Sequence, residues 1–174
     1  MGLAGLVGAL MHLLDTAVLW EIRNVRAGRS DPALAAWAAA QSRTQLFLSA
    51  LTLAELGAGA AQIERNDKAA AVTVRRWIDE RVVAAFDGRV LAVDAAVARR
   101  ATQLGYPALR DGLLAATALE HGLTLATRSP ATFRLGKVKT VNPWGYTPEA
   151  AVEDDDDWRQ ASRGPWLKNL FVRG

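Results

Sequence analysis

Residues 11–16 read Met11-His12-Leu13-Leu14-Asp15-Thr16, a short apolar run that ends on a carboxylate and passes directly into a helical pattern. His12–Leu14 has the length and character of a strand covered on both faces, and a helix follows over roughly 17–25. Working outward, the same alternation recurs. Ser30-Asp31-Pro32 supplies an N-cap and a first-turn proline for a helix carrying Leu34, Trp37 and Ala38 on one face. Leu46–Ser49 reads as a second strand, and Thr52 opens a helix to about Ile63 that Asn66-Asp67 breaks. Val74, Trp77, Ile78, Val82, Ala85 and Phe86 recur at helical spacing. Asp87-Gly88 turns into strand Val90–Val93, Asp94 caps a helix bearing Val97, Ala98, Ala101 and Leu104, and Tyr106-Pro107 interrupts. Asp111 opens a helix to His121, and Gly122 ends it. Leu123–Ala126 and Val138–Val141 are the last strands, the second leading into Asn142-Pro143.

Short apolar strands separated by helices predict an α/β fold: a parallel sheet of four or five strands with helices on both faces. Ligands of such sheets bind beyond the carboxyl ends of the strands. Asp15 follows the first strand, Glu55 lies six residues beyond the second, and Thr127 follows the fourth.

Composition narrows the chemistry. The 174 residues are 51% hydrophobic and contain no cysteine, which excludes disulfide scaffolds, thiolate metal sites and cysteine nucleophiles. Two histidines, His12 in the first strand and His121 at a helix end, leave no imidazole-rich metal site. The charge is uneven: residues 149–174 hold six acids and four Lys/Arg, leaving 17 basic and 12 acidic residues before them. A mildly basic body suits a polyanionic partner. Residues 1–20 are nearly all apolar, but Asp15 lies inside the stretch and no basic segment precedes it, against a signal or membrane span. Met11 is a second plausible start, which makes 1–10 an extension, 11–146 the folded body, and 147–174 an acidic linker with an apolar tail.

Each acid has a structural explanation when taken alone. Asp15 sits where a helix N-cap belongs. Thr52-x-x-Glu55 has the form of a capping box. Asp111 lies in a first turn, where the helix dipole favours a carboxylate, and Asp94 reads as a cap only. Taken together, Asp15, Glu55 and Asp111 lie in connections that open on one edge of the sheet. Carboxylates crowded in a partly desolvated cleft repel unless a cation neutralises them. An all-oxygen donor set selects a hard ion, Mg²⁺ or Mn²⁺, which activates water and stabilises a phosphoryl oxygen. The residues thus point to a metal-dependent phosphodiester hydrolase. A Mg²⁺-dependent phosphatase on another α/β fold fits less well, because position 17 is Ala where a second aspartate would be expected.

Four segments carry a family resemblance: Leu13-Leu14-Asp15-Thr16; Ser49-Ala50-Leu51-Thr52-Leu53-Ala54-Glu55-Leu56; Asp111-Gly112-Leu113-Leu114-Ala115-Ala116-Thr117-Ala118; and Gly122-Leu123-Thr124-Leu125-Ala126-Thr127-Arg128. In order and spacing they resemble PIN-domain ribonucleases of the VapC/FitB toxin type, over about Met11 to Tyr146. The resemblance implies a three-layer PIN-like fold and a Mg²⁺-dependent (or Mn²⁺-dependent) endoribonuclease. It also implies a cytoplasmic homodimer held inactive by a cognate antitoxin protein. Asp15 and Asp111 would be the principal metal ligands and Glu55 would complete the catalytic cluster, with Thr16, Ser49, Thr127, Ser129 and Thr132 in support.

The chain departs from the family pattern at two places. Asp15-Thr16-Ala17 stands where Asp-Thr-Asn is common. Thr127-Arg128-Ser129-Pro130-Ala131-Thr132-Phe133 stands where Thr-x-Asn-x-x-Asp/Glu-Phe is usual, so Thr132 replaces a fourth acid and Ser129 an amide. These changes argue against a second ion and predict weak or metal-hungry catalysis. The alternative is a catalytically weakened PIN module that binds protein or RNA without cutting. Arg128 and Arg134 are the expected RNA-phosphate contacts, beside Lys137 and Lys139. Trp20, Trp37 and Trp77 are expected in the core, with Trp144 packed at the last strand. Trp158, Trp166, Leu170 and Phe171 are expected to dock the tail.

Overall fold

The computed structural model describes residues 10–148. The expected extension before residue 10, the Asp154–Asp157 linker and the apolar tail with Trp158 and Trp166 lie outside the described residues. Five strands form one parallel sheet: β1 (His12–Leu14), β2 (Leu46–Ser49), β3 (Val90–Leu91), β4 (Thr124–Ala126) and β5 (Thr140–Val141), in the order β3-β2-β1-β4-β5. The first of the described strands is therefore the central one. It pairs Leu13 with Phe47 on one side, and Leu13 with Leu125 and Leu14 with Ala126 on the other.

Successive strand residues face opposite sides, and β1 shows what each side meets. Leu14 packs into a core built from Val18, Leu19 and Ile22 of α1 (Thr16–Asn24), Leu34 and Trp37 of α2 (Pro32–Ala40), Leu56 and Ala60 of α3 (Ala50–Glu64), and Val74 and Trp77 of α4 (Lys68–Trp77). Leu13 packs the other way, against Leu114, Ala115 and Ala118 of α7 (Leu109–Glu120), with Phe133 and Val138. Both leucines are fully buried, and burial of each contributes roughly 1.5–3 kcal/mol. The expected α/β architecture, a parallel sheet between two helical layers, is observed.

Helix α4 continues through a π turn at Ile78–Val82 into the short α5 (Val83–Ala85), so the single amphipathic helix of the sequence contains one wide turn. Trp77, Ile78 and Val82 all remain on the buried side across it. Helix α6 (Ala95–Leu104) starts on Asp94, whose Oδ1 accepts from the Val97 N–H at 2.9 Å. It packs closely on α7 at Gly112, where a Cβ would lie 3.3 Å from the Ala101 carbonyl oxygen. Trp37 and Trp77 are buried, and Trp20 and Trp144 pack against the same core.

Six elements differ from expectation in their bounds. Helix α3 begins at Ala50, not Thr52, because Ser49 is the N-cap: its hydroxyl accepts from the Leu51 N–H at 3.1 Å. Strands β3, β4 and β5 are shorter than the apolar runs that contain them, because only the residues with a ladder partner pair; β3 has only Leu48 and Ser49 opposite it. Helix α7 starts two residues before Asp111. The predicted helix over 17–25 begins at Thr16 and ends at Asn24. No helix among the described residues is long and apolar enough to cross a membrane.

Candidate metal centre

The site begins with the register of the two central strands. Leu14 pairs with Ala126, so the next residue on each strand, Asp15 and Thr127, emerges at the same point of the carboxyl edge. The Asp15 N–H donates to the Ala126 carbonyl at 3.0 Å and the Thr127 hydroxyl donates to Asp15 Oδ2 at 2.8 Å. Asp15 occupies the N-cap position of α1, yet its side chain makes no capping bond. The local helix therefore does not account for this carboxylate, and the N-cap explanation is corrected.

Glu55 is likewise released from a capping role. Thr52 lies inside α3 and is fully buried, with its hydroxyl 3.5 Å from the Leu14 carbonyl oxygen, so no capping box forms. Glu55 projects from the second turn of α3 to the same edge, where the Thr16 hydroxyl donates to its Oε2. Asp111 reaches the edge from the first turn of α7.

Arg110, which the sequence reading passed over, joins the three acids. Its Nε donates to Glu55 Oε1 at 2.6 Å, its Nη1 to Asp111 Oδ1 at 2.9 Å, and its Nη2 to Asp15 Oδ1. Each guanidinium nitrogen thus makes its shortest bond to a different carboxylate, and Nη2 also donates to Glu55 Oε2 at 3.4 Å. Burial works against the arginine cation, but the Glu55 hydrogen bond, the Asp15 charge and the Asp111 bond outweigh it and raise its pKa. Three carboxylates against one guanidinium leave the cluster formally negative. Asp15 is the most enclosed member, its side chain only 8% exposed, against 25% for Glu55 and 22% for Asp111.

The chemistry of this donor set fits a hard cation: all donors are carboxylate oxygens, three of them turned toward one positive group. Asp15 Oδ1, Glu55 Oε1 and Asp111 Oδ1 face the guanidinium; Asp15 Oδ2 is held by Thr127, and Glu55 Oε2 is held by Thr16 with a longer bond from Arg110 Nη2. As they stand, no three His, Cys, Asp or Glu side chains among the described residues are grouped to hold an ion by themselves, because the acids are spread around Arg110.

The other expected site residues are placed less centrally. Ser49 is fully buried and serves as the α3 cap. Ser129 reaches the cluster only at second hand, its N–H donating to Thr127 Oγ1 at 3.2 Å. Thr132 is exposed in the short helical turn Pro130–Arg134, and Arg134 is exposed beside it. Arg128 is exposed, with its guanidinium carbon 5.2 Å from the Trp144 ring centre.

The PIN domain family matches residues 12–134. The chain belongs to the PIN-domain family. A VapC ribonuclease of Sinorhizobium fredii, Y4jK, is 34% identical over 142 residues, covering 77% of this chain and 98% of the relative. Toxin FitB of Neisseria gonorrhoeae is 33% identical over 142 residues, again over 77% of this chain and 99% of its own. Among solved structures, FitAcB from Neisseria gonorrhoeae superimposes with a TM-score of 0.70 at 31% identity, covering 78% of this chain and 99% of that one. FitAB bound to a DNA fragment gives 0.69 at 30% identity, over 79% of this chain and 98% of that one. This PIN domain is therefore similar to toxin and ribonuclease chains across nearly their whole length.

The signal that would have found Arg110 is local. A cation in the first turn of a helix opposes the dipole, which favours anions there. An arginine at the second position of α7 thus needs a compensating partner, and three carboxylates provide it.

Proposed function

We propose that this PIN domain is a metal-dependent endoribonuclease, the toxin of a toxin–antitoxin pair, using Mg²⁺ or Mn²⁺. The observation that carries the reading is the convergence of Asp15, Glu55 and Asp111 on one cation at the carboxyl edge of the sheet. The ribonuclease and toxin named among its relatives support the same activity. The FitAB assemblies among its structural relatives support a cognate antitoxin partner. The reading extends to a cytoplasmic homodimer, with residues 11–146 as the PIN body.

Asp15 Oδ1 and Asp111 Oδ1 would hold the ion, and Glu55 Oε1 would complete the set or orient its water. Bound there, the ion supplies an activated water and neutralises charge on the phosphoryl oxygen. Thr127 fixes Asp15 by binding its far oxygen, and Thr16 fixes Glu55 in the same way. Asp15 and Glu55 are thus restrained in rotation, with Oδ1 and Oε1 turned toward the cation. The paired strands β1 and β4, which end immediately before Asp15 and Thr127, form the base of the site, which suits a site that must hold its geometry while substrate charge develops. The exposed Arg128 and Arg134 provide phosphate contacts along the RNA backbone.

The test is cleavage of a mixed structured RNA pool by antitoxin-free protein in Mn²⁺ or Mg²⁺ against EDTA, with Asp15→Asn and Asp111→Asn alongside. Metal-dependent cutting lost in both variants is the expected result. Silence at high metal that persists in Thr132→Asp would overturn the enzymatic reading.

A further inference from the structure

All three nitrogens of the Arg110 guanidinium donate within the acidic cluster, reaching Asp15, Glu55 and Asp111, and the group takes the position that a cation bound by these three acids would need. Arg110 side-chain bonds to Asp15 and Glu55 span 95 and 55 residues, so the arrangement is made by the fold and not by local sequence. The oxygens that take the guanidinium's shortest bonds, Asp15 Oδ1, Glu55 Oε1 and Asp111 Oδ1, are not the ones that Thr16 and Thr127 hold. A divalent ion gathered by the three acids, and the guanidinium itself, would therefore draw on the same three carboxylates. They cannot both be served at hydrogen-bond distance, and two cations held that close repel each other. Arg110 also has a way out: its side chain is 35% exposed, on a flexible three-carbon stem, at the rim of the cluster.

We propose that Arg110 is an internal counter-ion that competes with the divalent metal, so that loading the site is an exchange in which the guanidinium leaves the carboxylates as the ion arrives. The proposal rests on the metal-centre reading above. It assigns Arg110 a function distinct from that of a residue that merely braces the acids. With Arg110 in place, the acids tolerate one another in the metal-free protein. With the ion in place, the guanidinium is returned to solvent at the mouth of the site. A bracing residue and a competing one predict opposite signs when the side chain is shortened or neutralised. Loss of a brace disorders the ligands and weakens metal binding, whereas loss of a competitor strengthens it.

The experiment measures Mn²⁺ binding to the full chain by the electron paramagnetic resonance of free Mn²⁺, with thermal unfolding in parallel and no RNA present. Wild type, Arg110→Gln, Arg110→Lys and Asp15→Asn are compared. The expected result is a Mn²⁺ Kd at least tenfold lower in Arg110→Gln, a lower metal-free Tm, and a larger Tm gain on adding Mn²⁺. Arg110→Lys, which keeps the charge without the three-way fork, falls between. If Arg110→Gln does not fold, a Kd at least threefold lower in Arg110→Lys carries the same meaning. An unchanged or weakened Kd in a folded Arg110 variant, with wild type binding Mn²⁺ and Asp15→Asn not, overturns the exchange and leaves the metal centre standing. Absence of Mn²⁺ binding in wild type and Arg110→Gln alike overturns the metal centre itself.

Discussion

His12 makes the stability of this domain depend on pH in a direction that can be worked out from its surroundings. It sits in the central strand, 4% exposed, with its ring edge-on to Trp37 at 5.4 Å and an interplanar angle of 83°. Its Nδ1 is buried without a hydrogen-bond partner among the described residues. Burial penalises the imidazolium and pushes its pKa from 6.5 down to about 4. Above pH 6.5 the ring is neutral in folded and unfolded chains, and the group's contribution is fully retained. As pH falls from 6.5 toward 4 the unfolded chain binds a proton that the folded chain refuses, so stability declines across that window and levels off below it. At about 1.4 kcal/mol per pKa unit, the full loss is on the order of 3 kcal/mol. The perturbation is His12→Leu, which places an apolar side chain of similar bulk in the strand and removes the unpaired nitrogen. Urea unfolding of both proteins at pH 7.5 and pH 4.5 isolates the effect, because the carboxylates titrate alike in each. Wild type should lose about 2–3 kcal/mol more than the variant between the two pH values. At pH 7.5 the variant should match wild type or exceed it, since an unsatisfied buried polar atom has been removed. Parallel pH dependence in the two proteins would refute the reasoning.

Two further predictions concern the site and the helix behind it. Thr127→Val keeps the side chain's shape but strips Asp15 Oδ2 of its only described partner, and should cost about 1–3 kcal/mol in chemical unfolding. Gly57 and Gly59 lie two residues apart in α3 and should respond with opposite signs. Gly57→Ala meets nothing within 4 Å and should gain up to about 1 kcal/mol from helix propensity. The Cβ of Gly59→Ala would fall 2.8 Å from Trp20 Cζ2, so that variant should melt below wild type. Differential scanning calorimetry of the pair reads both.

The strands and their order in the chain were legible because fully buried strands have a plain signature: Leu13-Leu14, Leu46–Ser49 and Leu125-Ala126 are apolar runs too short to be helices. The ends were less legible. Ladder pairing, not hydrophobicity, decides where β3 and β5 stop, and pairing depends on a neighbour far along the chain. Thr52-x-x-Glu55 shows how a correct local pattern can be overruled: Ser49, three residues earlier, already caps the helix and leaves Glu55 free for the site. The three acids could be placed on one edge from topology alone. Arg110 could not be found that way. A long side chain chooses among partners that only tertiary structure brings within reach, and its own sequence neighbours name only Asp111.

The central position of β1 also bears on synthesis. Of the five described strands this one leaves the ribosome first, yet β4, its partner on one side, ends at Ala126. Until then Leu13 and Leu14 offer one unpaired edge to whatever strand-like chain is near. The bond from Thr127 to Asp15 closes a separation of 112 residues. A chain interrupted before that point carries Asp15, Glu55 and even Asp111 without the scaffold that aims them. The acidic cluster is thus a late product of translation, and a stalled or truncated copy would have an open sheet edge before it had a working site.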